Sequence, residues 1–168
     1  MDNTTKPAMK PGVRGWLLFF AITLVAVGPL VRTVGLIASY APVAAIAERF
    51  PKFVAVYAAT CVVELALIAW SIWAGVSILQ ARRGAVRVAR LFLILNPIML
   101  FVCTIAYALA NLPPQVMDVM SKTGAEITSR ALVYSIIWGL YLKFSKRVRE
   151  TFGGHSPARL PVSERAAA

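Results

Sequence analysis

Four apolar runs, each of roughly the 20 residues that cross a bilayer core, take up most of this 168-residue chain. Inside hydrocarbon a backbone must satisfy its own N–H and C=O groups, so each run is predicted to be a helix. The fold class that follows is an all-α integral membrane bundle of four transmembrane helices, at about 15–38, 53–79, 91–112 and 124–144. With 59% of residues hydrophobic and only 15% charged, a water-soluble domain is not expected. Residues 1–14 read as a basic N-terminal tail and 15–152 as the transmembrane domain. Residues 153–168, made of Gly, Pro, Ser, Ala and charge, read as a disordered tail.

Local signals refine the runs. Gly28-Pro29 and Asn96-Pro97 fall inside spans and predict kinks, because proline removes a backbone donor and crowds the preceding turn. Residues 43–50 and 114–122 read as short turns lying on the membrane surface. Thr123 followed by Glu126 fits a capping box, which would start the fourth helix near Gly124. A cleaved signal peptide competes for the first run, since basic residues precede it and Ser39-Tyr40-Ala41 imitates a cleavage site. The run is long for that role and carries Arg32.

The net charge of +11 is not spread evenly. Outside the runs, thirteen lysines and arginines fall in the N-terminal tail, the 81–90 loop and the segment from Lys143 onward, against three in the other two loops. The positive-inside rule therefore places both termini and the middle loop in the cytoplasm, an N-in/C-in arrangement that four spans satisfy. The basic loop (Arg82, Arg83, Arg87, Arg90) and the C-terminal cluster are suited to anionic lipid or a cytoplasmic partner. Because the charge sits at span ends, no nucleic-acid partner is expected.

Residue supply restricts the chemistry. The single histidine, His155, lies in a polar tail, which removes haem held between two histidines and His-rich zinc sites. Cys61 and Cys103 sit inside apolar runs without C-x-x-C spacing and read as small buried hydrophobes. Phosphate-cradling and common hydrolase motifs are missing from the sequence. No catalytic residue, metal or cofactor is expected.

Helical projection aligns polar residues on one face of each span. Tyr57, Thr60, Glu64, Ser71 and Gly75 share a face of the second span, Asn96, Cys103, Thr104, Tyr107 and Asn111 of the third, and Arg130, Tyr134, Trp138, Tyr141 and Ser145 of the fourth. On the first, Ala21, Gly28, Arg32, Gly35 and Ser39 make a face of small residues around one arginine. By helical rise, Arg32 and Arg130 would lie about 8 to 9 Å below the outer surface and Glu64 about 15 Å. A lone carboxylate at that depth is costly, so Glu64 is expected to pair with Arg130 or with Arg32, or to be protonated. The resulting cluster (Glu64, Arg130, Arg32, Tyr57, Thr60, Thr104, Tyr107, Asn111) reads first as a structural clasp and alternatively as a polar cavity for a solute or proton. Trp16, Trp70, Trp73 and Trp138 read as interfacial anchors and packing groups.

The segment Arg130-Ala-Leu-Val-Tyr-Ser-Ile-Ile-Trp138, with Tyr141-Leu-Lys-Phe-Ser145-Lys146-Arg147-Val148-Arg149-Glu-Thr151-Phe152 after it, resembles the C-terminal signature of a bacterial family named domain of unknown function 2569. The opening Gly12-Val-Arg-Gly15-Trp16-Leu17 is similar to that family's Gly-Gly-Trp-Leu start. The chain departs from the family's Pro-Tyr-Phe in the last helix, where it has Leu140-Tyr141-Leu142. The resemblance implies a small, four-span inner-membrane protein and no assigned activity. It also implies that Ser145, Lys146, Arg147, Arg149 and Phe152 sit at the cytoplasmic interface. The expected function is a non-enzymatic accessory subunit or helical scaffold, bound to other membrane subunits or to itself. The alternative is a small-solute or proton-linked carrier centred on Glu64.

Overall fold

The computed structural model describes residues 13, 15–47, 50–82, 84–109 and 114–152. The basic N-terminal tail, Arg83, Asn111 and the 153–168 tail lie outside the described residues, as does the Arg147 side chain. Among the described residues every regular element is helical: α1 (Trp16–Ile22), a π-helical turn (Thr23–Val27), α2 (Gly28–Ala47), α3 (Pro51–Leu79), α4 (Ala85–Ala108), α5 (Pro114–Phe144) and α6 (Lys146–Phe152). Three stretches, Trp16–Ala41, Pro51–Leu79 and Ala85–Ala108, are long and apolar enough to cross a membrane. At 29 residues α3 reaches about 44 Å, longer than a bilayer core, so it can cross with tilt. The protein is a multi-pass membrane protein. The fourth long helix, α5, is 31 residues long but carries Asp118, Lys122, Glu126, Arg130 and Lys143.

The helices outrun the apolar runs. The first was expected to end at residue 38, and it continues to Ala47, absorbing most of the 43–50 surface turn. The third begins at Ala85 rather than 91, so Arg87 and Arg90 stand in its first two turns and not in a loop, and its helix ends at Ala108. The fourth begins at Pro114, so the 114–122 turn is helix and Thr123 lies in mid-helix, where it caps nothing. Proline suits a first helical position, and a polar helix can extend past the bilayer core because water satisfies its outward face. The break expected after Phe144 is present: Ser145 interrupts the helix, and its Oγ accepts the Val148 N–H at 3.4 Å as α6 begins.

Pro29 explains the π turn. Pro29 has no N–H, and the N–H of Gly28 reaches back five residues to the Thr23 carbonyl. The Leu24 carbonyl thereby loses both donors that a helix could give it. Ser71 of α3, itself buried, donates its hydroxyl to that carbonyl at 2.7 Å. The kink expected at Gly28-Pro29 is thus a π turn, closed by a neighbouring helix.

Two buried clusters define the ends of the bundle. Leu17 of α1, Ile78 of α3, Ala85 and Ala89 of α4, Leu142 of α5 and Val148 of α6 belong to one. Val43 of α2, Phe53 and Tyr57 of α3, Tyr107 of α4 and Met120 of α5 belong to the other. The four long helical paths therefore alternate in direction. Turns between them use few residues; Gly84, at φ +88°, takes the left-handed conformation that the entry to α4 requires. Outward positions such as Val34, Val62, Phe101 and Ile136 are exposed and apolar, as a lipid-facing surface demands.

Close approach of backbones depends on two glycines. A Cβ on Gly75 would lie 3.0 Å from the Ala21 carbonyl oxygen and 2.5 Å from Cγ2 of Val25, and one on Gly124 would lie 2.7 Å from Thr104 of α4. Gly139 of α5 faces open space. Gly75→Ala is expected to destabilise the protein by about 1–3 kcal/mol through overpacking, whereas Gly139→Ala should be neutral or gain about 0.5–1 kcal/mol through helix propensity. Thermal unfolding in a mild detergent, followed by circular dichroism, checks both.

Candidate functional site

Arg32, Glu64 and Asn96 occupy the middle thirds of the Trp16–Ala47 path, α3 and α4, and their side chains meet in the interior. Nη1 of Arg32 donates to Oε2 of Glu64, and Nη2 donates to Oδ1 of Asn96. The two charged side chains are 18% and 15% exposed, and Asn96 is 4% exposed. One planar guanidinium, whose donors point in fixed, divergent directions, therefore joins three helices. Asn96 carries its amide at a point where Pro97 already disturbs the backbone ladder without ending the helix.

Of the two arginines expected as partners of Glu64, the structure joins it to Arg32. Arg130 is on another surface: it donates to Glu126, one turn earlier on α5, with side chains 76% and 60% exposed. A step of four residues advances a helix by about 400°, so the face projected through Trp138 and Tyr134 has drifted by some 80° at Arg130. The depths change too. Because α2 continues to Ala47, Arg32 lies about 22 Å from that end, level with the middle of the bundle rather than in its outer third.

The remaining members of the expected cluster do not converge on this centre. Ser39 donates to the Leu36 carbonyl at 2.8 Å, leaving its oxygen to accept from the Tyr57 hydroxyl at 2.9 Å. Tyr107 packs beside them against Phe53, ring centroids 5.8 Å apart. Thr60 and Thr104 bond back to the carbonyls of Val56 and Leu100 on their own helices. A Cβ added to Gly35 of the expected small-residue face would meet nothing within 4 Å, so no neighbour approaches closely there. Asn96 belongs to the centre; the sequence placed it on the polar face of the third span and in a kink, but not among the partners of Glu64. The available signal was that a side-chain amide at mid-span is itself costly unless partnered.

The basic residues gather at the opposite end from Tyr57. Arg82 follows α3, Arg87 and Arg90 begin α4, and Lys146 and Arg149 lie on α6. Nη2 of Arg90 donates at 2.7 Å to the carbonyl of Leu142 in the last turn of α5, a cation on the negative end of that helix. Phe152 packs half-buried against the same cluster. Nearby, Trp138 stacks on Phe20 at 4.6 Å, and the Tyr134 hydroxyl donates to Thr23, whose own proton goes to the Phe20 carbonyl. Trp70 packs edge-on to Phe92, while Trp16 and Trp73 face outward.

Among the described residues no three His, Cys, Asp or Glu side chains are grouped so that they could hold a metal ion. Cys61 and Cys103 are free thiols, half-buried. Shallow clefts open on the surface of the described residues, two of them away from Glu64. One runs along α5 beside Arg130 and Val133, and the other lies at the α3–α4 turn beside Trp73, Arg82 and Arg87; neither reaches Glu64. Trp70 Nε1 and the hydroxyls of Thr128 and Ser135 are buried without a partner among the described residues.

Removing one member of the central pair leaves the other charge stranded. Glu64→Gln and Arg32→Gln are each expected to cost about 3–5 kcal/mol, and the double variant should cost less than the sum. Arg130→Gln, on an exposed pair, should stay within about 0.5 kcal/mol. A double-mutant cycle of detergent unfolding on these variants measures the coupling.

No curated protein and no solved structure matches the chain. Residues 10–153 match the family described as protein of unknown function (DUF2569). That match spans all six helices, the Arg32–Glu64–Asn96 centre and the basic end, and the chain belongs to the DUF2569 family.

Proposed function

We propose that this protein is a non-catalytic, four-span scaffold or accessory subunit of a bacterial cytoplasmic membrane, with both termini inside. The observation that carries this reading is the central triad. Its one guanidinium donates to a carboxylate on one helix and to an amide on another, an arrangement that favours one helix order and directs both terminal nitrogens at protein. Supporting the four-span reading, α5 packs along α4, and its C-terminal half inserts Trp138 among the aromatics of α1. Supporting the orientation, Arg82, Arg87, Arg90, Lys146 and Arg149 collect at one end, where anionic headgroups would attract them.

A carrier centred on Glu64 is the second reading. It is favoured by the unpartnered interior groups on Trp70, Thr128 and Ser135, which are what a transient water or solute would use. The two readings separate in liposomes. A scaffold gives no solute uptake or proton-coupled flux when purified, and co-purifies with other membrane subunits from mild detergent; uptake abolished by Glu64→Gln would reverse the choice.

Topology has its own test. In a background lacking Cys61 and Cys103, a cysteine replacing Asp118 should react with a membrane-impermeant thiol reagent on intact cells. A cysteine replacing Arg87 or Arg149 should react only after permeabilisation.

A further inference from the structure

At the turn between α3 and α4 a cleft of about 340 Å³ lies among Trp73, Ser77, Arg82, Arg87 and Val88, and no acidic side chain lines it. Ser77 stands two residues, roughly 3 Å, from the end of α3, which puts the cleft at the level of lipid headgroups. Backbone bonds tie the turn to both helices. The Ala81 N–H donates to the Ile78 carbonyl at 2.9 Å, the Arg82 N–H to the Ser77 carbonyl at 3.1 Å, and the Ala85 N–H to the Arg82 carbonyl at 3.1 Å.

The donors of the cleft are not spent on the protein. Arg90 gives its guanidinium to the Leu142 carbonyl, whereas among the described residues no hydrogen bond or ion pair uses that of Arg82 or Arg87. Ser77, 4% exposed, is the buried polar wall of the cleft. Its hydroxyl likewise has no partner among the described residues, unlike that of Ser71 on the same helix, which holds the Leu24 carbonyl. Buried donors are ordinarily satisfied, and a hydroxyl beside two guanidiniums is a donor set for phosphate oxygens. A topology signal needs basic charge on this turn, but neither a cleft nor a buried donor.

The membrane side of the cleft is apolar. Trp73, 55% exposed, stands at headgroup level, where indoles collect. From there two exposed ladders follow helical spacing toward the bilayer core, Ala69 and Ala66 on α3 and Leu91 and Ile94 on α4. Acyl chains can lie along them, a surface that a free phosphate would not use.

We propose that this cleft is a binding site for one anionic phospholipid. Arg82 and Arg87 pair with its phosphate, the Ser77 hydroxyl donates to it, and Trp73 flanks its glycerol. Only α3 and α4 need to span for this; neither the scaffold reading nor the placement of α5 enters.

The test uses the full-length protein in mild detergent with equal amounts of dioleoyl phosphatidylglycerol and dioleoyl phosphatidylcholine, weighed intact by native mass spectrometry. Wild type should keep one phosphatidylglycerol about tenfold or more over phosphatidylcholine, because choline would bring a third cation to the two guanidiniums. The double variant Arg82→Gln with Arg87→Gln should lose that preference to within about twofold, and Ser77→Ala should weaken retention about threefold. Arg149→Gln, at the same end but outside the cleft, should stay within about twofold of wild type. Arg82, Arg87 and Arg149 are exposed and Ser77→Ala removes only a hydroxyl, so helicity and monodispersity should be unchanged. Equal retention of both lipids by wild type, undiminished retention in the double variant or in Ser77→Ala, or an equal loss in Arg149→Gln overturns the inference. A thermal shift from inorganic phosphate as large as that from phosphatidylglycerol would assign the cleft to a free anion and overturn it too. None of these outcomes moves the scaffold reading, which the liposome and co-purification measurements decide.

Discussion

A guanidinium halfway along a transmembrane path has few tolerable environments, and the arrangement of this bundle follows from the one that Arg32 occupies. Hydrocarbon cannot solvate it, and a single carboxylate would tie it to one helix only. Glu64 and Asn96 approach from two different helices, so both bonds form together only when α2, α3 and α4 are in their native order and register. Packing of Leu, Ile and Val against lipid-like surfaces gives little discrimination between neighbours. Close contacts through Gly75 and Gly124 and a few directional polar bonds have to supply it.

The two ends of the molecule are built differently. At one, arginine and lysine surround a core of Leu17, Ile78, Leu142 and Val148, and Arg90 ties the start of α4 to the last turn of α5. At the other, Phe53, Tyr57 and Tyr107 meet Val43 and Met120 with little net charge nearby, since Lys122 is paired with Asp118. This asymmetry gives the molecule a fixed direction along its long axis. It belongs to the fold as much as to the sequence, because the short α6 folds back on the basic end through Val148 and Phe152.

Helix existence was legible in the sequence and helix extent was not. Apolar runs report where lipid touches the protein, whereas hydrogen bonding continues wherever water or a neighbour accepts the backbone, as at 39–47 and 114–123. The Thr123 and Glu126 pair looked like a helix start because the motif is local and nothing local reveals that the preceding turn is already helical. That Glu64 needs a partner was readable from its depth. Which arginine served depended on two things no single helix shows: the drift of the α5 face, which carries Arg130 outward, and the π turn, which sets the face of α2. Asn96 was legible as part of the polar face of its span, but its bond to Arg32 depends on the relative rotation of two helices, which neither sequence pattern shows.

The π turn does more than accommodate Pro29. Before it, the buried face of the first path falls at Leu17, Ala21 and Leu24, with Phe20 beside them; after it, the inward positions are Pro29, Arg32, Leu36, Ser39 and Val43. Both sets follow the alternating three- and four-residue repeat, but between Leu24 and Pro29 the count is five, so one residue is looped out of phase. A straight α-helix of the same sequence would carry everything beyond Val27 around the axis by about 100° and swing Arg32 off its inward bearing. The proline thus acts as a rotational frameshift, a phase correction of one residue that turns the guanidinium toward its partners, and the Ser71 hydroxyl holds that phase in place.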